Sequence, residues 1–252
     1  VTTHPMPSKP LGIKTYGSIP HLPSSRMGPG DHHCSPGQAR ICCVKARDKH
    51  DYIWVQEKLD GSCMGVALHQ GNLIALGRAG YPADTSPHLF QRLFASWVNR
   101  HEERFRAMLQ EGERAVGEWL VLAHGTRYVL PHEPWVLFDI MTNQERQPAH
   151  EVVRRSLLGA FTTPTVLHHF SPISIERVQS LIAVSNHGAI NRVEGAVWRV
   201  EHRGSVDFLA KWVWPDKVDG LYLEEVSGQP SVWNVWPPSG WEGDKFMGEG
   251  LP

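Results

Sequence analysis

From Tyr52 onward, short β-prone runs, YIWVQEKL, CMGVAL and NLIALG, are separated by Asp60-Gly61 and Gln70-Gly71 pairs. Runs of this length punctuated by such dipeptides predict meandering antiparallel strands. Between residues 87 and 110 the period lengthens: Leu89, Leu93, Trp97, Phe105 and Leu109 recur at helical spacing with polar residues between them. That pattern predicts one amphipathic helix. Residues 115–122 (AVGEWLVL) and 135–141 (WVLFDIM) return to strand character, 150–160 and 174–186 read as helices, and RVEGAVWRVE and VDFLAKWVW as two further strands. Ser174 is placed to cap the second of those helices. No repeat of fixed length is present, which sets aside solenoids and propellers. The expected class is α+β.

The flanks differ from this patterned middle. Residues 1–38 hold seven prolines and five glycines, a density that excludes long helices and predicts an extended arm. The stretch from Pro215 is rich in Pro, Gly and Trp and has no period. The expected division is an arm over 1–50 packed on the domain, a central domain over 51–214, and a tail over 215–252.

With 252 residues, 41% of them hydrophobic, the chain can bury a substantial core, which argues against disorder. The 25 basic and 26 acidic side chains balance, so net charge neither predicts nor excludes a polyanionic partner. The balance hides an asymmetry: residues 1–56 net +4 and residues 215–252 net −5, making the amino-terminal quarter the better candidate for holding phosphates. No apolar run approaches the ~18 residues of a membrane span, and no apolar signal core opens the chain. Cys34, Cys42, Cys43 and Cys63 are too few and too local to staple the chain, so reduced thiols in a soluble, cytoplasmic protein are expected.

The most informative string is Glu57-Lys58-Leu59-Asp60-Gly61-Ser62. Alone it describes an exposed lysine beside a turn. It is followed in order by Gly77-Arg78-Ala79-Gly80, Gly117-Glu118-Trp119, Leu137-Phe138-Asp139-Ile140, Glu194-Gly195-Ala196-Val197 and Ala210-Lys211-Trp212-Val213, each on or beside a predicted strand. From Gln56 to Val213 this series resembles the covalent nucleotidyltransferase superfamily of ATP-dependent ligases and capping enzymes, and its RNA-ligase branch most closely.

The resemblance implies a nucleotidyltransferase fold, unrelated to ATP-grasp, in which antiparallel sheets with flanking helices enclose an adenylate pocket. It implies that Lys58 attacks the α-phosphorus of ATP to form a lysine–AMP phosphoramidate. A lysine with pKa near ~10.4 must first lose a proton, which calls for desolvation and positive neighbours; Arg78, Lys211 and a bound metal are expected to supply the charge. Glu57 belongs with the nucleotide-binding group. Arg78 is assigned to the ribose or to an acceptor-strand phosphate, against the plainer reading of a surface arginine. Glu118 matches a ribose contact and Asp139 a family acid. Phe138 matches the aromatic that stacks on adenine, although its parity with Val136 and Ile140 equally suits a core wall. Glu194, a costly carboxylate in an apolar strand, is assigned to Mg²⁺ or Mn²⁺. Lys211 is assigned to the α-phosphate. Here the pattern departs from the family, because many ligases carry two lysines one residue apart and this strand has one, unless Lys217 folds back.

Other signals carry less. Asp31-His32-His33-Cys34 has a palmitoyltransferase look without the membrane helices that chemistry requires. His32, His33, Cys34, Cys42, Cys43 and His50 supply zinc-ligand types at a spacing that matches no common site. Lys9 and Lys14 on the arm, with Asp60, are candidates for phosphate or RNA contact; the alternative is an arm that packs beside the sheet. Trp212, Trp214, Trp233, Trp236 and Trp241 suit either base platforms or a tail strapped to the domain.

The expected function is an ATP-dependent RNA ligase that joins 5′-phosphate and 3′-hydroxyl ends, with ATP and Mg²⁺ or Mn²⁺ as cofactors. An end-healing enzyme is an expected partner, a membrane is not, and a monomer is expected. Only 41 residues follow Lys211, too few for an appended OB-fold. The alternatives are a capping-type guanylyltransferase, a DNA ligase core, and a catalytically degenerate module that binds RNA ends.

Overall fold

The structure, a computed structural model, describes residues 8–182 and 185–235. Among them the chain forms α1 (Pro36–Cys43), β1 (Asp51–Lys58), β2 (Ser62–His69), β3 (Asn72–Gly77), α2 (Leu89–Arg100), α3 (Glu102–Met108), β4 (Glu113–Trp119) and β5 (Trp135–Thr142). Then follow β6 (Glu145–Arg146), α4 (Ala149–Gly159), β7 (Val166–His169), α5 (Ile175–Leu181), β8 (Gly195–His202), β9 (Ser205–Val213) and α6 (Glu224–Ser227). The α+β expectation holds. Two antiparallel sheets carry it, one ordered β7-β1-β8-β9 and the other β3-β2-β4-β5-β6. No helix among the described residues is long and apolar enough to cross a membrane.

Each sheet has its own core. Ile53, Val55, Trp198 and Trp212 of the first sheet pack with Leu22, Cys34, Cys42 and Val178. Trp119 and Trp135 of the second pack with Phe94, Trp97 and Phe105 from α2 and α3.

The expected meander holds for β2 and β3, whose turn places Gln70 and Gly71 at positive φ, but fails for β1 and β2. These two strands lie in different sheets, so Asp60-Gly61 is a crossing and not a hairpin turn. Side chains occupy its amides: Asp60 N–H donates to the Tyr128 hydroxyl (3.0 Å) and Gly61 N–H to Glu118 Oε1 (3.0 Å). A Cβ on Gly61 would lie 2.6 Å from the Trp119 carbonyl oxygen, so only glycine permits this approach.

The single helix expected over 87–110 is two. His101 leaves helical geometry (φ −110°, ψ 21°), and its Nδ1 sits 2.8 Å from the Trp97 carbonyl oxygen, competing for an acceptor of the preceding turn. The helix expected over 174–186 keeps its Ser174 cap but ends at Leu181, and residues 183–184 lie outside the described residues. The helix α1 was not expected, although Ser35-Pro36-Gly37-Gln38 spells its capping box with proline at the first position.

The arm and the tail are both fastened to the sheets. Lys211 N–H donates to the Pro20 carbonyl (2.9 Å), laying the arm along β9. Residues 215–235 strap the segment after β4: Ala123 N–H donates to the Val232 carbonyl, and Asn234 accepts from Tyr128 N–H and donates to the Leu120 carbonyl. Trp233 pairs with Leu122 in that strap, while Trp236, Trp241 and the rest of the expected tail lie outside the described residues.

Candidate active site

Strand β1 alternates strictly, with Ile53, Val55 and Glu57 buried and the residues between them less so. Its parity sends Glu57 into the first sheet's core side, where its carboxylate accepts from Ser185 Oγ at 2.5 Å, and turns Gln56 and Lys58 to the opposite face. The pairing of Lys58 with Gly195 brings the end of β1 beside Glu194, which immediately precedes β8. Lys58 Nζ lies 2.5 Å from Glu194 Oε2. Glu118 enters from β4 of the other sheet and is held by the Gly61 amide.

A cleft of about 430 Å³ opens between the two sheets. Lys58, Arg78, Glu118, Phe138 and Lys211 line it, with Glu57 on the same wall. The Glu57 side chain points away, so its share of the wall is backbone. Phe138 escapes the parity argument because β5 is bulged opposite Val116 and Gly117. The bulge puts Leu137 and Ile140 in one core and leaves Phe138 half-buried in the cleft, edge-on to Tyr16 at 5.1 Å.

The electrostatics correct one expectation. Burial disfavours charge on Lys58, but Glu194, Glu118 and Asp60 outweigh it and hold the ammonium above its ordinary pKa. The positive neighbours expected to lower Lys58 are outvoted by carboxylates close at hand. Burial in turn pushes both Glu194 and Glu118 up to about 7, against the pull of Lys58. Lys211 is shifted down by burial and then by Lys58.

The RNA ligase family's sequence model matches residues 51–213, from the first residue of β1 to the last of β9. The chain belongs to the RNA ligase family. Among solved structures it resembles an archaeal ATP-dependent RNA ligase at 18% identity, over 65% of this chain and 42% of that one, with a TM-score of 0.43. It also resembles point mutants of the Naegleria gruberi RNA ligase, one with ATP and Mn (17% identity, 66% and 50% covered, TM-score 0.47) and one apo (14%, 86% and 60%, TM-score 0.49). The chain therefore spans about half the length of these structures. No curated protein matches its sequence.

Five sequence candidates in this RNA ligase family member do not line the cleft: Glu194, which meets it through its contact with Lys58, and Lys9, Lys14, Asp60 and Asp139. Lys9 stacks its ammonium over the Tyr81 ring at 5.2 Å, and Lys14 is exposed. Asp60 is turned to Lys217 Nζ (2.9 Å) and to the Gly125 amide (2.9 Å), an arrangement that fixes a loop and offers no cation to a phosphate. Lys217 does fold back, but onto Asp60 and the Thr126 hydroxyl. Asp139 is fully buried, between the Tyr16 hydroxyl, Arg146 and Arg199.

The cleft also contains residues that sequence reasoning passed over. Tyr16, Gly17 and Ile19 make the arm one of its walls. Thr15 fastens that wall, donating its hydroxyl to the Gly77 carbonyl (2.7 Å) and its amide to the Arg78 carbonyl (3.1 Å). Gly80, at φ +92°, would place a Cβ 2.1 Å from the Ile13 carbonyl oxygen, which gives the second glycine of Gly-Arg-Ala-Gly its reason. His124, its Nε2 3.0 Å from Ser62 Oγ, is shifted down by burial. Val197 and Arg199 join from β8; they pair with Lys211 and Leu209 of β9, so strand parity from Lys211 was the available signal. Cys34 and Cys42 pack in the apolar core, where burial raises their thiol pKa values. Among the described residues, the cluster of metal-ligand types is Asp48, Asp51 and His202, and Arg47 already holds Asp51 at 2.7 Å.

Proposed function

We propose that this chain is an ATP-dependent RNA ligase working through a covalent Lys58–AMP intermediate. The observation that carries the reading is the position of Lys58 in a nucleotide-sized cleft, against Glu194, facing Glu118, with Arg78 and Lys211 on the walls. Lys58 Nζ, once deprotonated, attacks the α-phosphorus. The N–P bond forms as the bond to the bridging oxygen of pyrophosphate breaks, and pyrophosphate leaves. A 5′-phosphate oxygen then takes AMP from Lys58, and a 3′-hydroxyl displaces AMP to form the phosphodiester.

Lys211 and Arg78 supply fixed cations for the phosphate oxygens, and Phe138 a stacking face for adenine. The donor chemistry at Glu194 fits a hard divalent ion, since it offers a buried carboxylate oxygen with Lys58 as its ion-pair partner. Glu194 would hold Mg²⁺ or Mn²⁺, which supplies neutralising charge at the transferring phosphoryl group. Lys58 keeps its proton while Glu194, Glu118 and Asp60 face it, so relief of that negative field is what the chain requires before attack. Ends bearing a 5′-phosphate and a 3′-hydroxyl are the product class of end-healing reactions.

Intact-mass measurement after incubation with ATP and Mg²⁺ tests the reading. The expected result is a gain of one AMP, acid-labile and mapped by peptide analysis to Lys58. AMP on another residue, or no gain, overturns it.

A further inference from the structure

The string Asp31-His32-His33-Cys34 has no part in the chemistry above, yet its backbone is tied to Lys211. The arm leaves β9 at His21 and returns at His33: Leu22 N–H donates to the Lys211 carbonyl (2.8 Å), His21 N–H to the His32 carbonyl (2.8 Å), and Cys34 N–H to the His21 carbonyl (2.9 Å). The loop so closed carries Asp31 back to the Lys211 side chain. Asp31 Oδ2 accepts from the Gly28 amide at 2.9 Å and lies 3.1 Å from His21 Nε2, while Oδ1 lies 3.7 Å from Lys211 Nζ. His21 is itself buried and anchored, with Nδ1 2.7 Å from Ser25 Oγ, which accepts the Val213 amide at 2.9 Å. The path from Val213 through Ser25, His21 and Asp31 thus returns to Lys211, two residues away on the same strand.

We propose that Asp31 is a positioning residue for Lys211, holding its ammonium in the cleft for the phosphates of the incoming nucleotide. The proposal rests on the reading of Lys211 as a phosphate-binding lysine. A lysine stem has rotamer freedom to lose on being fixed, and this one shares its cleft with the cationic Lys58. A carboxylate fixed by the Gly28 amide offsets both. At 3.7 Å it sits at ionic range without taking a short hydrogen bond, so the donors of Lys211 stay available.

Asp31→Asn separates positioning from simple charge, because the amide oxygen still accepts from Gly28. Loss of a negative charge beside an anion site tightens anion binding or leaves it unchanged; loss of alignment slows the chemical step. The expected result is an adenylylation rate at saturating ATP reduced by about tenfold or more. Affinity for inorganic tripolyphosphate, measured by calorimetry, is expected not to weaken, and Asp31→Glu is expected to restore part of the rate. An unchanged rate overturns the proposal. So does a parallel loss of rate and tripolyphosphate affinity, which would assign Asp31 to holding the arm in place.

A second measurement does not depend on catalysis. Reductive methylation followed by peptide mass spectrometry reads the reactivity of Lys211, with Lys14 as the internal reference. In Asp31→Asn, Lys211 is expected to react at least about twofold faster relative to Lys14; equal reactivity overturns the proposal. If the wild-type protein gains no AMP, the ligase reading fails while this measurement still decides the role of Asp31.

Discussion

Lys58 Nζ and Glu194 Oε2, 2.5 Å apart at the end of the β1–β8 ladder, neutralise one another. The proposed nucleophile is therefore held as an ammonium by the residue proposed to hold the metal. Lys58 is shifted up by its carboxylates, so the reactive neutral amine grows with pH through the whole neutral range. The rate of adenylylation at fixed ATP and Mg²⁺ is expected to rise with pH between pH 6 and 8. A plateau beginning below pH 7 would mean that the amine is already free. Lys58→Arg is expected to abolish labelling, since a guanidinium stays protonated.

Glu194→Gln is expected to slow adenylylation by about a hundredfold or more, because charge balance at the transferring phosphoryl group is lost. Rates at saturating ATP and metal, with circular dichroism to confirm the fold, make the check. A near wild-type rate would reduce Glu194 to a structural partner of Lys58.

Glu118 offers a test in stability. Its folded pKa is raised to about 7 by burial, above the unfolded carboxylate value. The folded state then binds more protons than the unfolded state across the window from the unfolded value up to about 7, and stability falls as pH rises through it. Glu118→Gln, which keeps an acceptor for the Gly61 amide, is expected to flatten that fall. Melting temperatures measured from pH 5 to 8 should show the variant losing less than the wild type; equal slopes would mean that the shift lies elsewhere.

Lys217 and Asp60 are nearly buried, with 8% and 14% of their side chains exposed. Removing one partner strands the other charge. Lys217→Met is expected to lower stability by roughly 2–4 kcal/mol, and adding Asp60→Asn to cost less than the sum of the single changes. Urea unfolding of the four proteins closes the cycle. Additive losses would mean that the pair has no coupling.

The arm lysines are separable from the cleft. Because Lys9 and Lys14 do not line it, Lys9→Ala/Lys14→Ala is expected to leave self-adenylylation unchanged while weakening transfer to RNA. The salt slope of RNA binding should become shallower by about 0.7 for each phosphate that is no longer neutralised. Equal effects on both steps would return these lysines to the fold.

The motif residues were legible because each stands where its chemistry is conspicuous, Lys58 at a strand end before Asp60-Gly61 and Lys211 within an apolar strand. Strand positions were legible for the same reason, since β-prone runs announce themselves locally. Which strands pair was not. The hairpin reading of Asp60-Gly61 failed because Tyr128 and Glu118, far along the chain, capture its amides. Tyr16 and His124 were invisible as cleft residues because each reaches the cleft through a tertiary contact, Thr15 on Gly77 for one and the strap over 120–128 for the other. The elevated pKa of Lys58 was likewise hidden, because the carboxylates that decide it come from three separate segments.

The strict alternation of β1 constrains its length. Every residue from Asp51 to Lys58 has a partner on β8, and neighbouring side chains face opposite worlds, Glu57 the protein interior and Lys58 the cleft. Inserting or deleting one residue before Lys58 would, if the ladder kept its register, exchange those two destinations, presenting a carboxylate to the cleft and an ammonium to tryptophan and valine. A substitution along this strand leaves those destinations in place, whereas a change in its length does not.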